Sequence, residues 1–247
     1  RRERAAFLYG NIAADIINFK AYGGPYNHCH RWTIIGEMRE HADSEAEEAF
    51  LLGYLSHLAA DTIAHNHFVP YHLARYARTK GLGHLYWEMS ADRFIEDSRW
   101  SALGELRDDD DLNALDELVN RTVEKKALPM KTNKLIFNHV LLISHRDRWR
   151  AGMERLQPRR KVTLDPGFLC RFQDAAVERI RVALQWDGVE RIEHIDPNGK
   201  EAQALALRAR AELSAAERWF PRTMTPERGE ALAARWLEGM GPPAAKP

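Results

Sequence analysis

Cysteine is nearly absent. Cys29 and Cys170 are the only two in 247 residues, too few for a disulfide framework and too far apart in sequence to suggest a paired-thiolate metal site. An excess of one charge is also lacking: 36 Lys and Arg balance 36 Asp and Glu. No global field therefore draws the chain to nucleic acid or anionic lipid, and a polyanionic partner must be held locally. No apolar run reaches the ~18 residues of a membrane span, and no signal peptide is visible. Because the numbered chain opens at Arg1 without an initiator Met, that leaves its compartment open. Alternating strand patterns and hairpin dipeptides are scarce too; Asn198-Gly199 follows Asp196-Pro197 and reads as a turn between helices.

What is present is a helical pattern. Hydrophobic residues at 45% and charged residues at 29% match an ordinary globular chain. Its length suits one large domain, expected over residues 1–240, with residues 1–100 as a metal-binding half, 101–240 as a helical half and 241–247 as a disordered tail. Ser44 followed by Glu47 is a capping box ahead of an apolar run, which predicts a helix from Ser44 to about Pro70. A second is predicted after Gly81-Leu82-Gly83 toward Trp100. Others are predicted over 112–127, 131–156, 167–186, 200–219 and 226–237. The expected fold is an all-α multi-helix bundle.

Histidine carries the chemical signal, because eight of the 11 fall between His28 and His84. His57 and Asp61 are four residues apart on a helix and share a face. His65 continues that face, while His67 lies near the helix end. His84 and Glu88 repeat the spacing on the next helix, and neutral imidazole with carboxylate oxygen is a zinc donor set. Upstream, Asp15 follows what reads as a small-residue turn from Gly10, and His28 and His30 precede Trp32. His41, His72, His139, His145 and His194 are read as ordinary core or surface residues. Trp32, Trp87 and Trp100 are read as core.

The stretch from Phe50 to Pro70, FLLGYLSHLAADTIAHNHFVP, resembles the signature of the zinc-dependent phospholipase C family: His57, Asp61 four residues later and His67 six beyond that. His84 and Glu88 match a later His-x-x-x-Glu. Asp15 and His30 are the best matches to an upstream Asp and His, with His28 a rival for His30. The resemblance implies an all-helical fold shared with single-strand nucleases. It also implies one zinc ion on Asp15, His30, His57 and Asp61, another on His67, His84 and Glu88, and a third sharing Asp61. In the family that third ion is completed by an N-terminal Trp and a nearby His without recognisable counterparts here, so two or three ions are expected.

By the same resemblance the reaction is phosphodiester hydrolysis of a phospholipid met at a membrane surface, in a secreted or periplasmic setting, with Asp15 orienting or deprotonating the water. No nucleic acid and no stable protein partner are expected. Single-strand nuclease or 3′-nucleotidase activity on the same fold is the alternative, as is a zinc-stabilised helical binding module without turnover. An HD-type phosphohydrolase is disfavoured, because the chain has no His-Asp dipeptide.

Overall fold

The structure is a computed structural model that describes residues 2–19, 22, 24, 28–76, 83–96, 98–99, 102, 106, 110–123, 126–137, 164–219 and 226–243. Helix is the only regular structure among the described residues, as the sequence predicts. In chain order the elements are α1 (Arg2–Ile16), α2 (Thr33–Arg39), α3 (Glu45–Ile63), a π turn (Ala64–Phe68), α4 (Val69–Tyr76) and α5 (Gly83–Asp92). A 3-10 turn (Asp110–Leu115), α6 (Asp116–Thr122), α7 (Met130–Phe137) and α8 (Pro166–Ala183) follow. The last are α9 (Gly188–Ile192), α10 (Lys200–Trp219) and α11 (Pro226–Leu237). The chain divides into two compact units: Arg1–Ala60 with Ile95–Trp149 and Ile180–His194, and Asp61–Phe94 with Arg150–Arg179 and Ile195–Pro247.

In the first unit α3 is the central element. Phe50, Leu51, Tyr54, Leu55 and Leu58 are all buried, in one core with Ile34, Ile35 and Met38 of α2 and Leu118 and Val119 of α6. A helix apolar around most of its circumference must be enclosed on several sides. Its start is a variant of the predicted capping box: Glu47 N–H donates to Ser44 Oγ at 3.3 Å, while Glu47 Oε2 accepts from the Ser44 hydroxyl and from the Asp43 N–H, both at 2.9 Å. The segment read as a small-residue turn before Asp15 is instead the second half of α1. Gly10 and Gly53 face each other where α1 crosses α3; a Cβ on Gly10 would lie 2.1 Å from the Phe50 carbonyl oxygen, and one on Gly53 2.0 Å from that of Phe7. The small residues serve a close helix crossing, not a turn. Asp116 joins the outer helices, accepting from the Tyr9 hydroxyl at 2.5 Å and from Lys134 Nζ at 2.8 Å.

In the second unit α4 packs on α5 and α10, and α10 also covers the π turn. Its interior holds Phe68, Leu73, Trp87 and Phe172 around a buried His72, whose ring centre lies 4.5 Å from that of Phe68 and 4.6 Å from that of Trp87. The helix predicted to end near Pro70 does not stop there. Proline lacks an N–H and crowds the carbonyl four residues back, so the preceding turn widens to the i→i+5 pattern. Val69 N–H bonds to the Ala64 carbonyl, and α-helix resumes with Pro70 in its first turn.

Other boundaries differ modestly. The helix predicted toward Trp100 ends at Asp92, that over 112–127 is a 3-10 turn followed by α6, and the interval between the helices predicted over 167–186 and 200–219 contains α9. Of the helix predicted over 131–156, residues 138–156 lie outside the described residues, as do His139, His145 and Trp100. Within the predicted tail, 241–243 are half-buried and 244–247 lie outside the described residues.

Candidate metal centre

The crossing of α1 on α3 sets up the first donor group. Asp15 is five residues beyond Gly10 and His57 four beyond Gly53, distances of about 7 and 6 Å along helices that touch at the glycines. The two side chains therefore reach the same end of the crossing. His30, buried in the segment before α2, completes the group. Its Nε2 lies 3.0 Å from His57 Nε2 and 3.4 Å from Asp15 Oδ1, and His57 Nε2 lies 3.9 Å from the same oxygen. Ligand atoms 2.0–2.1 Å from one tetrahedral zinc stand about 3.3 Å apart, so the three donors are near zinc-ligand spacing, with the His57–Asp15 pair a few tenths of an ångström too wide. Asp15 is 46% exposed whereas His30 is 2% and His57 11% exposed, which leaves the carboxylate on the open side of the two imidazoles. His30 Nδ1 sits 3.2 Å from the Cys29 thiol, and His28 Nδ1 accepts the His30 backbone N–H at 3.1 Å. His30 rather than its rival His28 thus joins Asp15 and His57, although His28, Cys29 and His30 also form a donor group of their own.

The second group lies wholly in the second unit. His65, His84 and Glu88 bring their donor atoms together, with His65 Nε2 and His84 Nε2 each 2.9 Å from Glu88 Oε1. Burial pulls the His65 imidazole down, but the Asp61 charge and the Glu88 contact outweigh it and hold it at about 9. Burial likewise opposes the raised His84, where Glu88 prevails. Glu88 is pushed up by burial and pulled further down, to about 2, by hydrogen bonds from both histidines. Without metal, the carboxylate is neutralised by the two imidazoles that would share an ion with it.

The expectation that His67 joins His84 and Glu88 differs from this arrangement. His65 stands four residues after Asp61, where α3 passes into the π turn, with its Nδ1 3.9 Å from Asp61 Oδ2. Two residues further on, any helical winding turns a side chain nearly to the opposite side. His67 accordingly meets the backbone of Gly239 and Gly241, and burial holds its imidazole below the usual range. Asp61 stands with His65 in the second unit, while His57, its neighbour one turn earlier on α3, belongs to the first. His41 and His194 are exposed, in line with their ordinary reading.

Residues 1–132, more than half of the chain, match the family described as zinc dependent phospholipase C. The chain belongs to the zinc-dependent phospholipase C family. Membership implies a zinc-dependent hydrolase, and the matched stretch contains every ligand the sequence nominates, from Asp15 to Glu88. No curated protein and no solved structure matches the chain. Among the described residues no helix is long and apolar enough to cross a membrane. A cavity of about 660 Å³ in the first unit, bordered by Arg2, Leu8, Glu47 and Leu112, includes none of the candidate ligands.

Sequence reasoning missed three partners of this phospholipase C family member's histidines. They are the Cys29 thiol at His30, the Pro197 carbonyl at His65 and the Gln203 amide at His84. Cys29 was adjacent in sequence, but nothing local marked Pro197 or Gln203, which lie more than 100 residues from the rings they touch.

Proposed function

We propose that the chain hydrolyses the phosphodiester of a phospholipid on the glycerol side of its phosphate, with Asp15, His30 and His57 as the hydrolytic metal group and His65, His84 and Glu88 as a second. The observation that carries this reading is the donor triangle of Asp15, His30 and His57, whose spacings of 3.0, 3.4 and 3.9 Å are close to those of ligands sharing one zinc ion while its carboxylate faces solvent. A structural zinc site is closed by four protein ligands, whereas a catalytic one keeps a position open. The triangle has that form.

Zinc held there supplies a Lewis acid for the phosphoryl oxygen and lowers the pKa of a bound water toward ~7. His30 and His57 fix the position from the buried side, and the Cys29 thiol limits rotation of the His30 ring. Asp15, attached to the last turn of α1, stands on the solvent side, from which a water at the metal would be reached. Its second oxygen would be free to orient a water there and to accept its proton, a general-base contribution of about 10²–10⁴ in rate. Neutral formal charge for the whole chain means that substrate capture rests on the site and on contact with the lipid surface, not on long-range steering.

The test is an assay of zinc-loaded protein on phosphatidylcholine vesicles, with single-stranded nucleic acid in parallel. Release of phosphocholine and diacylglycerol, abolished by chelation and restored by zinc, is the expected result. Mononucleotide release without phosphocholine would replace the lipid by a nucleic-acid phosphodiester. Turnover of neither substrate at full zinc occupancy would overturn a hydrolytic function.

A further inference from the structure

Resting on the reading that His65, His84 and Glu88 hold a metal ion, we propose that the turn and helix start at Asp196–Gln203 are its outer shell. The Pro197 carbonyl and the Gln203 amide are positioning groups that commit Nε2 of both imidazoles to the metal. The segment lies outside the residues matched by the family.

An imidazole that binds metal through one nitrogen carries its hydrogen on the other, and the partner of that N–H fixes tautomer and ring orientation. His65 Nδ1 lies 2.7 Å from the Pro197 carbonyl oxygen. A carbonyl only accepts, so Nδ1 donates and Nε2 is the nitrogen left toward Glu88. His84 Nδ1 lies 3.0 Å from Gln203 Oε1. An amide can be turned either way round, but here Gln203 Nε2 is engaged by the Asn198 carbonyl at 2.8 Å. That carbonyl accepts only from the amide NH₂, so the oxygen faces His84, whose Nδ1 is again the donor. Two separate partners thus assign the same nitrogen of both rings.

The turn is built to hold this position. Asp196 Oδ1 accepts from Asn198 N–H at 3.0 Å and from Asn198 Nδ2 at 2.9 Å, while Oδ2 accepts from Lys200 N–H at 3.3 Å. Asn66 Nδ2 of the π turn donates to the Asp196 carbonyl at 2.8 Å. Gly199 has φ +58, and a Cβ there would lie 2.1 Å from the His65 carbonyl oxygen. The backbone of the turn is therefore laid directly on that of His65, in a conformation and at a distance that glycine alone tolerates. An ordinary surface connection needs neither.

Gln203→Met removes the acceptor at similar volume, Gln203→Glu keeps an acceptor, and Glu88→Ala removes a ligand. Zinc affinity of the full chain is measured by competition with a chromophoric chelator, and melting of the chelated protein reports any merely structural loss. Gln203→Met is expected to weaken one zinc by about 10–100-fold while leaving metal-free melting close to wild type, and Gln203→Glu to restore that affinity. Wild-type affinity in Gln203→Met, or equal loss in both Gln203 variants, would overturn the proposal. If Glu88→Ala keeps all its zinc, the underlying metal reading fails instead. Nitrogen-15 NMR of the zinc-loaded wild-type rings gives a decision independent of any variant's folding: Nδ1–H with metal at Nε2 is expected for His65 and His84, and metal at Nδ1 would refute it.

Discussion

At the scale of single residues, two histidines two positions apart have different tasks. His65 lies 2.9 Å from Glu88, whereas His67 packs among Gly239 and Gly241. His65→Ala is therefore expected to lose one zinc equivalent by elemental analysis, and His67→Ala to keep all of them; the reverse would reinstate the six-residue spacing from Asp61. His72 is an acid-sensitive core residue. Burial pulls its imidazole down to about 4, against the smaller opposing effect of its bond to the Phe68 carbonyl. Between pH 6.5 and 4 the unfolded chain binds a proton there that the folded chain does not. His72's contribution is complete above pH 6.5 and falls away as the pH drops toward 4, by about 3 kcal/mol in all. Urea denaturation of chelated protein across that range should show a shallower pH dependence for His72→Phe than for wild type. Equal slopes would mean that His72 is not held neutral.

Among the helices, the α1–α3 crossing matters most, because it delivers Asp15 to His57. Gly53→Ala puts a methyl group 2.0 Å from the Phe7 carbonyl oxygen and 3.1 Å from Gly10 Cα, all of it backbone that cannot rotate away. Forced separation of the helices is expected to cost at least about 1–3 kcal/mol in urea denaturation and to weaken zinc on the Asp15, His30 and His57 group. Gly36→Ala is the control. That glycine is exposed on α2 with open space around it, and alanine there should stabilise by about 0.5–1 kcal/mol. The start of α3 was legible from its cap, and α10 and α11 from their helical pattern. The role of Gly10 was not, since a run of small residues reads equally as a turn or as a tight crossing, and only the partner helix distinguishes them.

For the whole molecule, zinc is expected to stabilise as well as to equip a reaction, because ligands converging in the folded chain are scattered in the unfolded one. At 100-fold excess over its Kd each bound ion adds about 2.7 kcal/mol, worth about 2–4 °C per kcal/mol in a chain of this size. Chelation should lower the melting temperature by about 5–10 °C per site, and an unchanged melt would show that no metal is bound in the native state. The sequence by itself determined the helical class, the ligand chemistry and the i, i+4 pairs such as His84 with Glu88, because these depend on neighbours within one turn of helix. It also carried the family resemblance. Only the tertiary structure decided that His30 and His65 are the histidines brought to their groups, and that the Pro197 carbonyl meets His65 and the Gln203 amide meets His84. Those outcomes depend on where one stretch of backbone crosses another, at Gly10 on Gly53 and at Gly199 on His65, and contacts across such sequence separations leave no local pattern to read.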